Sequence, residues 1–522
     1  MKKQLVLAGL LAISGSVSAQ PWQMVGPRAM GMGGAGVAVA TGAEAQYWNP
    51  AALAVDNEDD KNLIIGLGAQ LETTKDVADA VDGLNDLSKQ YKSMSDTLKT
   101  HGTPTATDLN TVFKGLGDIS KLTKQGTGIL AGADGGIGTK FKHFAVSVRS
   151  LGTIGVTPVV DARNIGFDNK GASQQGFNMV TTGTPANPSA VQVVANAIDA
   201  TDTFGALNTL LGGGYANSTK LAESIVLTAE AQAGISPAQI MEMAQTIADN
   251  LPQAAEIIKT AGDAGGGTGY SNNESRVMAD AGAFTEAALG YGHQFVPGLQ
   301  IGGNIKVIEG TLTQTGIMVL SDDKDFSDII SEANKNKKNS TNVGVDLGAR
   351  LSLAELLDSE IWGKPTFGIT ARNINSPKFK RPGVPTNLDP VLAQDWNTSD
   401  YKLKPQVRAG AALEVLKILT VAADIDVTEN DTNVTGYKSR QLAVGMELDL
   451  TKGKKWGLPI RAGINKNVAE SDSEMYYTAG VGLRLSRFWL ELAGAVSGET
   501  AKVDGTEIPT SAAASLQFGF VF

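Results

Sequence analysis

Strict alternation of apolar and polar residues, repeated along the second half of the chain, limits the fold more than any other feature. Val343, Val345, Leu347, Ala349, Leu351 and Leu353 are interleaved with Gly344, Asp346, Gly348, Arg350 and Ser352. Alternate side chains of a strand point to opposite faces, so this segment is a strand with one greasy face and one face of glycine and both charge signs. The pattern returns at Val407, Ala409, Ala411, Leu413 and Val415, at Leu419, Val421, Ala423, Ile425 and Val427, and at Leu442, Val444, Met446 and Leu448. It returns again at Ala479, Val481, Leu483 and Leu485. A soluble sandwich also alternates, but its strands average about five or six residues. These reach about ten, the length that a tilted strand needs to cross a bilayer.

Fourteen such segments can be placed, near residues 62–71, 134–141, 144–156, 279–292, 298–319, 341–353, 365–375, 404–415, 418–428, 438–450, 458–467, 475–486, 488–497 and 512–522. The connections alternate between tight turns, such as Lys142-His143 and Leu416-Lys417, and longer loops. That rhythm and the even count predict an all-β fold, a 14-stranded antiparallel transmembrane β-barrel with both termini on the short-turn side. The last strand alternates Leu516, Phe518, Phe520 and Phe522 with polar or small residues, and its closing Phe resembles the signal read by the barrel-assembly machinery.

Two loops exceed what a barrel requires, and both read as helical insertions, at residues 72–133 and 159–277. Val77, Val81, Leu84, Tyr91, Met94 and Leu98 recur at helical spacing, and so do Leu109, Phe113, Leu116, Ile119 and Leu122. Ser236 and Pro237 form an N-cap and first helical position ahead of Ile240, Ala244, Ile247 and Leu251. Apolar stripes of this kind pack on one another to make a cap.

At the other end, Lys2 and Lys3 precede an apolar run from Leu5 to Ile13 and small residues at Val17-Ser18-Ala19, which predicts a signal peptide over residues 1–19. The mature chain then divides into an N-terminal segment, 20–61, and the barrel, 62–522. A formal charge of −10 argues against a nucleic-acid partner. With no cysteine and three histidines (His101, His143, His293), the sequence offers no catalytic residue, metal site or cofactor. The acids at Asp56, Glu58, Asp59 and Asp60, and at Asp322, Asp323 and Asp325, read as solvated charge rather than calcium ligands.

Residues 26–53 contain Ala29-Met30-Gly31-Met32-Gly33-Gly34-Ala35 and then Tyr47-Trp48-Asn49-Pro50-Ala51-Ala52-Leu53. Gly31, Gly33 and Gly36 match a dinucleotide-binding spacing, but no buried strand precedes them, so the segment reads as small residues packed inside something narrow. Together with the closing Phe, these motifs resemble the FadL/TodX-like outer-membrane transport barrels, and in particular the PorV-related sub-group labelled TraF-type conjugal-transfer proteins. The resemblance implies a hatch plugging the lumen, with Met30, Gly31, Gly33, Gly34, Asn49 and Pro50 in it and Tyr47 and Trp48 packed against the inner wall. It also implies the outer membrane of a Gram-negative bacterium, a hydrophobic small-molecule ligand and a lateral gap. The gap is expected where Gly152, Gly155 and Pro158 weaken the third strand. A passive transporter of fatty-acid-like molecules is therefore expected, with a non-transporting envelope or conjugal-transfer scaffold as the alternative.

Overall fold

The computed structural model describes residues 21–55, 61–74, 77, 103–164, 179–263, 273–318, 326–451, 456–503 and 506–522. The expected signal peptide, the helix expected over residues 77–98 apart from Val77, His101 and the two acidic loop clusters lie outside them. Fourteen strands form a closed antiparallel meander in chain order. They are β1 (Lys61–Thr74), β2 (Gly128–Phe141), β3 (Phe144–Val159), β4 (Arg276–Val296), β5 (Leu299–Met318), β6 (Lys338–Ser352) and β7 (Thr366–Arg372), then β8 (Gln406–Leu416), β9 (Leu419–Asp426), β10 (Gln441–Asp449), β11 (Pro459–Asn467), β12 (Met475–Leu485), β13 (Phe488–Ser497) and β14 (Ser511–Val521). Closure comes from β1 pairing with β14, from Asn62↔Val521 to Glu72↔Ser511. A closed sheet leaves no edge unpaired, the condition for placing strands in lipid.

The wall is uneven in height. β4 and β5 have 21 and 20 residues, whereas β7 has seven and β9 has eight. Beyond β7 the chain turns inward at Asn373, which takes a left-handed backbone (φ 53°). Asn373 N–H donates to the Asp346 carboxylate at 2.9 Å, fixing that turn to the inner face of β6. The loop that follows lines the outer half of the lumen, where Phe379 packs on Phe284 with ring centroids 4.9 Å apart.

Outward-facing positions carry large apolar side chains left exposed: Ile65, Leu67, Val146, Ile305, Leu347, Met446, Val481, Leu492 and Phe518 among them. In water such a band would be a large uncompensated cost, so the surface fits lipid. Aromatics gather at the short-turn end: Phe141 and Phe144 flank one turn, Tyr291 and Phe295 precede the next, and Trp362, Trp456, Phe488 and Phe522 stand at others. This is the girdle that marks a membrane–water interface. His293 stands on β4 within the girdle, edge-on to Phe295 at 5.4 Å.

The long loops between β1 and β2 and between β3 and β4 fold together into a helical domain. It contains α3 (Ala106–Thr123), α4 (Pro188–Thr201), α5 (Phe204–Leu210), α6 (Ser218–Glu230) and α7 (Pro237–Asp263), numbered after two short helices of the N-terminal segment, α1 (Pro27–Gly31) and α2 (Ala45–Trp48). Thr105 and Asp108 make a reciprocal capping box at the start of α3. Ser236 and Gln239 do the same for α7: Ser236 N–H donates to Gln239 Oε1 at 2.9 Å, and Gln239 N–H returns to Ser236 Oγ at 3.3 Å. The stripe Ile240, Ala244, Ile247 and Leu251 faces inward, joined by Leu109, Phe113, Val194, Leu221 and Ile225 in one core.

Candidate functional site

Residues 21–55 sit inside the barrel, and Thr41 alone among them is exposed. The segment folds as short helical turns. It makes no ladder with the wall, so its seat depends on side chains and on close backbone approach.

Glycines on the inner face provide that approach. A Cβ at Gly445 or Gly463 would collide with the backbone of Met32 and Gly33, and one at Gly302 with the Pro50 carbonyl. This is the physical reason why the polar faces read from the sequence are so rich in glycine: on these strands the polar face is a seat. Met30 is buried in α1, and Gly31 packs on Gly480 of β12. Gly33 N–H donates to Thr478 Oγ1 at 3.0 Å, and the Thr478 hydroxyl donates to the Gly31 carbonyl at 3.1 Å. Gly33 and Gly34 take left-handed φ values of 70° and 94°, which turn the chain there. Arg408 Nη2 donates to the Gly34 carbonyl at 3.1 Å, while the Asp424 carboxylate receives the Gly36 and Val37 N–H groups at 2.7 and 2.9 Å.

Asn49 is fully buried and joins three pieces of chain. Its Oδ1 receives the Ala51 N–H at 3.1 Å, capping the turn Pro50–Ala54, and its Nδ2 donates to the carbonyls of Val37 at 3.2 Å and of Ala349, on β6, at 3.0 Å. Pro50 occupies the first position of that turn, where a missing N–H costs nothing. Tyr47 and Trp48 pack on each other at 5.4 Å and on Trp22, which the sequence reading did not single out. Their contact with the wall is cationic: the Arg372 guanidinium stands 4.3 Å from the Tyr47 ring and that of Arg408 5.8 Å from Trp48.

The wall charges form fixed clusters. Lys306 bonds Glu286 and Asp346 at 3.1 and 3.0 Å, and Arg372 joins Glu286 at 3.2 Å. Arg408 lies 2.9 Å from Asp426 and 3.4 Å from Asp424. On the short-turn side, Arg28 of the segment pairs with both oxygens of Glu447 at 2.8 and 3.0 Å, and Arg461 bridges Glu447 and Glu491 at 2.6 Å each. This last cluster borders a cavity of about 650 Å³ lined by Glu44, Arg350, Glu414 and Arg484 among others. Burial, and then the charge of Glu491, push the Glu44 carboxyl up to about 7, with Arg28 opposing. A second cavity, about 620 Å³, lies on the long-loop side between the inward-folded loops, lined by Asp280, Arg381, Tyr401, Lys402, Asn430 and Asp431.

The third strand, expected to open at its outer end, stays paired on both sides as far as Val156. Gly152 pairs with Ala133 of β2 and Ala283 of β4, Gly155 pairs with Leu130 and Asp280, and Pro158 pairs with Val277. The small residues serve a different need: a Cβ at Gly155 would strike the Asn433 backbone of the loop that folds in from β9, and the Gly152 carbonyl receives Gln23 Nε2 at 3.1 Å. Only the outermost residues, Thr157–Val159, pair on one side alone, with β4. Among the described residues no cluster of metal-ligating side chains occurs.

A family model described as "F plasmid transfer operon, TraF, protein" matches residues 46–426, well over half of the chain. Among curated proteins none matches. Among solved structures, the Ralstonia pickettii toluene transporter TbuX aligns at 9% identity and a TM-score of 0.40, covering 95% of this chain and 98% of its own. The P. putida toluene transporter TodX aligns at 11% identity and 0.38, covering 95% and 97%. A Pseudomonas aeruginosa FadL homologue aligns at 10% identity and 0.39, covering 97% and 99%.

Proposed function

Because the chain belongs to the TraF family named for the F plasmid transfer operon, we propose that it is an outer-membrane barrel of a Gram-negative cell in which residues 21–55 act as a movable hatch for small hydrophobic molecules. One observation carries this reading: the segment fills the lumen without joining the sheet, so it can shift without unzipping a strand. On the long-loop side a guest would have to part a closed apolar cluster in which Phe284, Ile308 and Leu312 of the wall pack with Phe379 and Leu403 of the inward-folded loop. It then meets the aromatic group of Trp22, Tyr47 and Trp48, and beyond that the cavity bounded by Arg28 and Glu44. The route follows the barrel axis, since the β3 ladder is hydrogen-bonded on both sides at Gly152 and Gly155.

A scaffold role is the second reading. A helical domain with a core of its own is more than a channel requires, and the family description refers to a transfer operon.

A reversible bolt separates the two. A Cβ at Gly138 lies 3.7 Å from Ala43 Cβ, within disulfide reach, and the chain has no other cysteine. In liposomes, oxidised A43C/G138C should stop the flux of a hydrophobic probe, and reduction should restore it. Equal flux in both states removes the hatch, and no flux in the wild-type protein favours the scaffold.

A further inference from the structure

The short-turn cavity is lined by six carboxylates against five basic side chains, and around the N-terminal segment Glu44, Glu447 and Glu491 stand with Arg28 and Arg461. Both guanidinium groups are committed elsewhere: Arg28 to both oxygens of Glu447, and Arg461 to Glu447 and Glu491. Glu44 is the surplus acid, and it belongs to the N-terminal segment, not to the wall. It is 9% exposed, and its Oε1 has no hydrogen-bond partner. Around it stand Arg28 from α1, Glu491 from β13, Gln517 from β14 and, more distantly, Arg149 from β3. Asn62 of β1 borders the same space, and Arg350, Glu355, Lys364, Glu414, Asp449 and Arg484 also line the cavity.

A neutral carboxyl at this place is compatible with burial beside Glu491. An ionised one adds a third negative charge to Glu447 and Glu491, which the two guanidinium groups already pair with, in surroundings that screen it poorly. We propose that Glu44 is a protonation latch: protonated, it lets α1 and the turn Gly42–Glu44 rest against β13, β14 and β1; ionised, it loosens them and widens the short-turn cavity. The latch rests on the hatch reading and adds to it the condition under which the hatch moves.

The sign follows from linkage. A carboxyl whose value in the folded chain is raised from 4.5 to about 7 stabilises the seated segment fully below about pH 4.5, and that contribution is lost as pH rises through about 7. Full-length protein in planar bilayers, with small-ion conductance followed between about pH 5 and pH 9, tests this. Wild type should conduct little in acid and several-fold more in base, with a midpoint near neutrality, while Glu44→Gln should stay at the acid level throughout. Glu491→Gln, which removes the like charge, should move the midpoint toward acid. The latch is overturned if Glu44→Gln keeps the wild-type pH profile or if wild type shows none. The oxidised A43C/G138C bolt distinguishes the two failures. If the bolt abolishes the alkaline rise but Glu44→Gln does not, the hatch stands and the latch falls; if the bolt changes nothing, both fall.

Discussion

Asn49 is a buried amide whose two donors tie it to the Val37 and Ala349 carbonyls while its oxygen caps the turn that follows it. Asn49→Ala strands the Ala51 N–H and the Val37 and Ala349 carbonyls, at about 1–3 kcal/mol for each buried group left unpaired. Asn49→Asp keeps the acceptor and loses both donors, so it should be no milder. In both variants, proteolysis of residues 21–55 should accelerate while the barrel keeps its heat-dependent gel mobility; unchanged protection would show that Asn49 does not hold the segment. Gly155 makes the complementary case. Gly155→Val drives a side chain into the Asn433 backbone, so the loop between β9 and β10 should be displaced and trypsin should cut faster at Lys438 and Arg440. If loop cleavage is unaffected, the seat assigned to Asn433 is wrong. Reading Gly152, Gly155 and Pro158 as weakness in the wall was reasonable from local chemistry. The loop that Gly155 accommodates is nearly 300 residues away in sequence, and no local pattern announces it.

At the level of strands, alternation made the centre of every wall element legible, because each centre has lipid on one side and the lumen contents on the other. The ends were not. β2 begins at Gly128, six residues before the alternating stretch, since Gly128-Ile129-Leu130-Ala131-Gly132-Ala133 has little contrast between faces. The pairing of Lys378–Phe379 with Tyr401–Lys402 left no periodic trace either: two residues are too short to alternate, and the contact of Phe379 with Phe284 and Gly310 sets their position. The face assignment itself is open to test. Val481 is 43% exposed on β12, while its neighbours Gly480 and Gly482 point inward. Val481→Arg should cost about 2–4 kcal/mol if it lies near the bilayer midplane. Equilibrium unfolding in lipid should show that loss. An arginine tolerated there without cost would mean that this face does not meet hydrocarbon.

The whole molecule has two main interiors, which meet in a small cluster where Leu122 of α3 and Val77 pack with Ile129 of β2. The core of the helical domain, from Ala106 to Ile258, contains no residue of any strand, and the core around Trp22, Trp48 and Leu53 contains none from α3 to α7. Their surfaces differ as well: among the described residues of 103–127 and 160–263 no large apolar side chain is exposed, whereas the strands carry dozens. One part is therefore built for water and the other for lipid, although the helical domain is assembled from two loops that interrupt the barrel. Separate cores imply separate stability, because a fault at the centre of one removes no contact from the centre of the other. Ile247, fully buried in α7, is where this can be tested. Ile247→Asp places a charge without a partner in the helical core, a change that costs several kcal/mol. The domain should then become sensitive to trypsin at Lys220 and Lys259, while unboiled protein still runs as a folded barrel and A43C/G138C still forms its disulfide. If the barrel fails to assemble as well, the helical domain is needed to close the wall between β1 and β4, and the independence argued from the two cores does not hold.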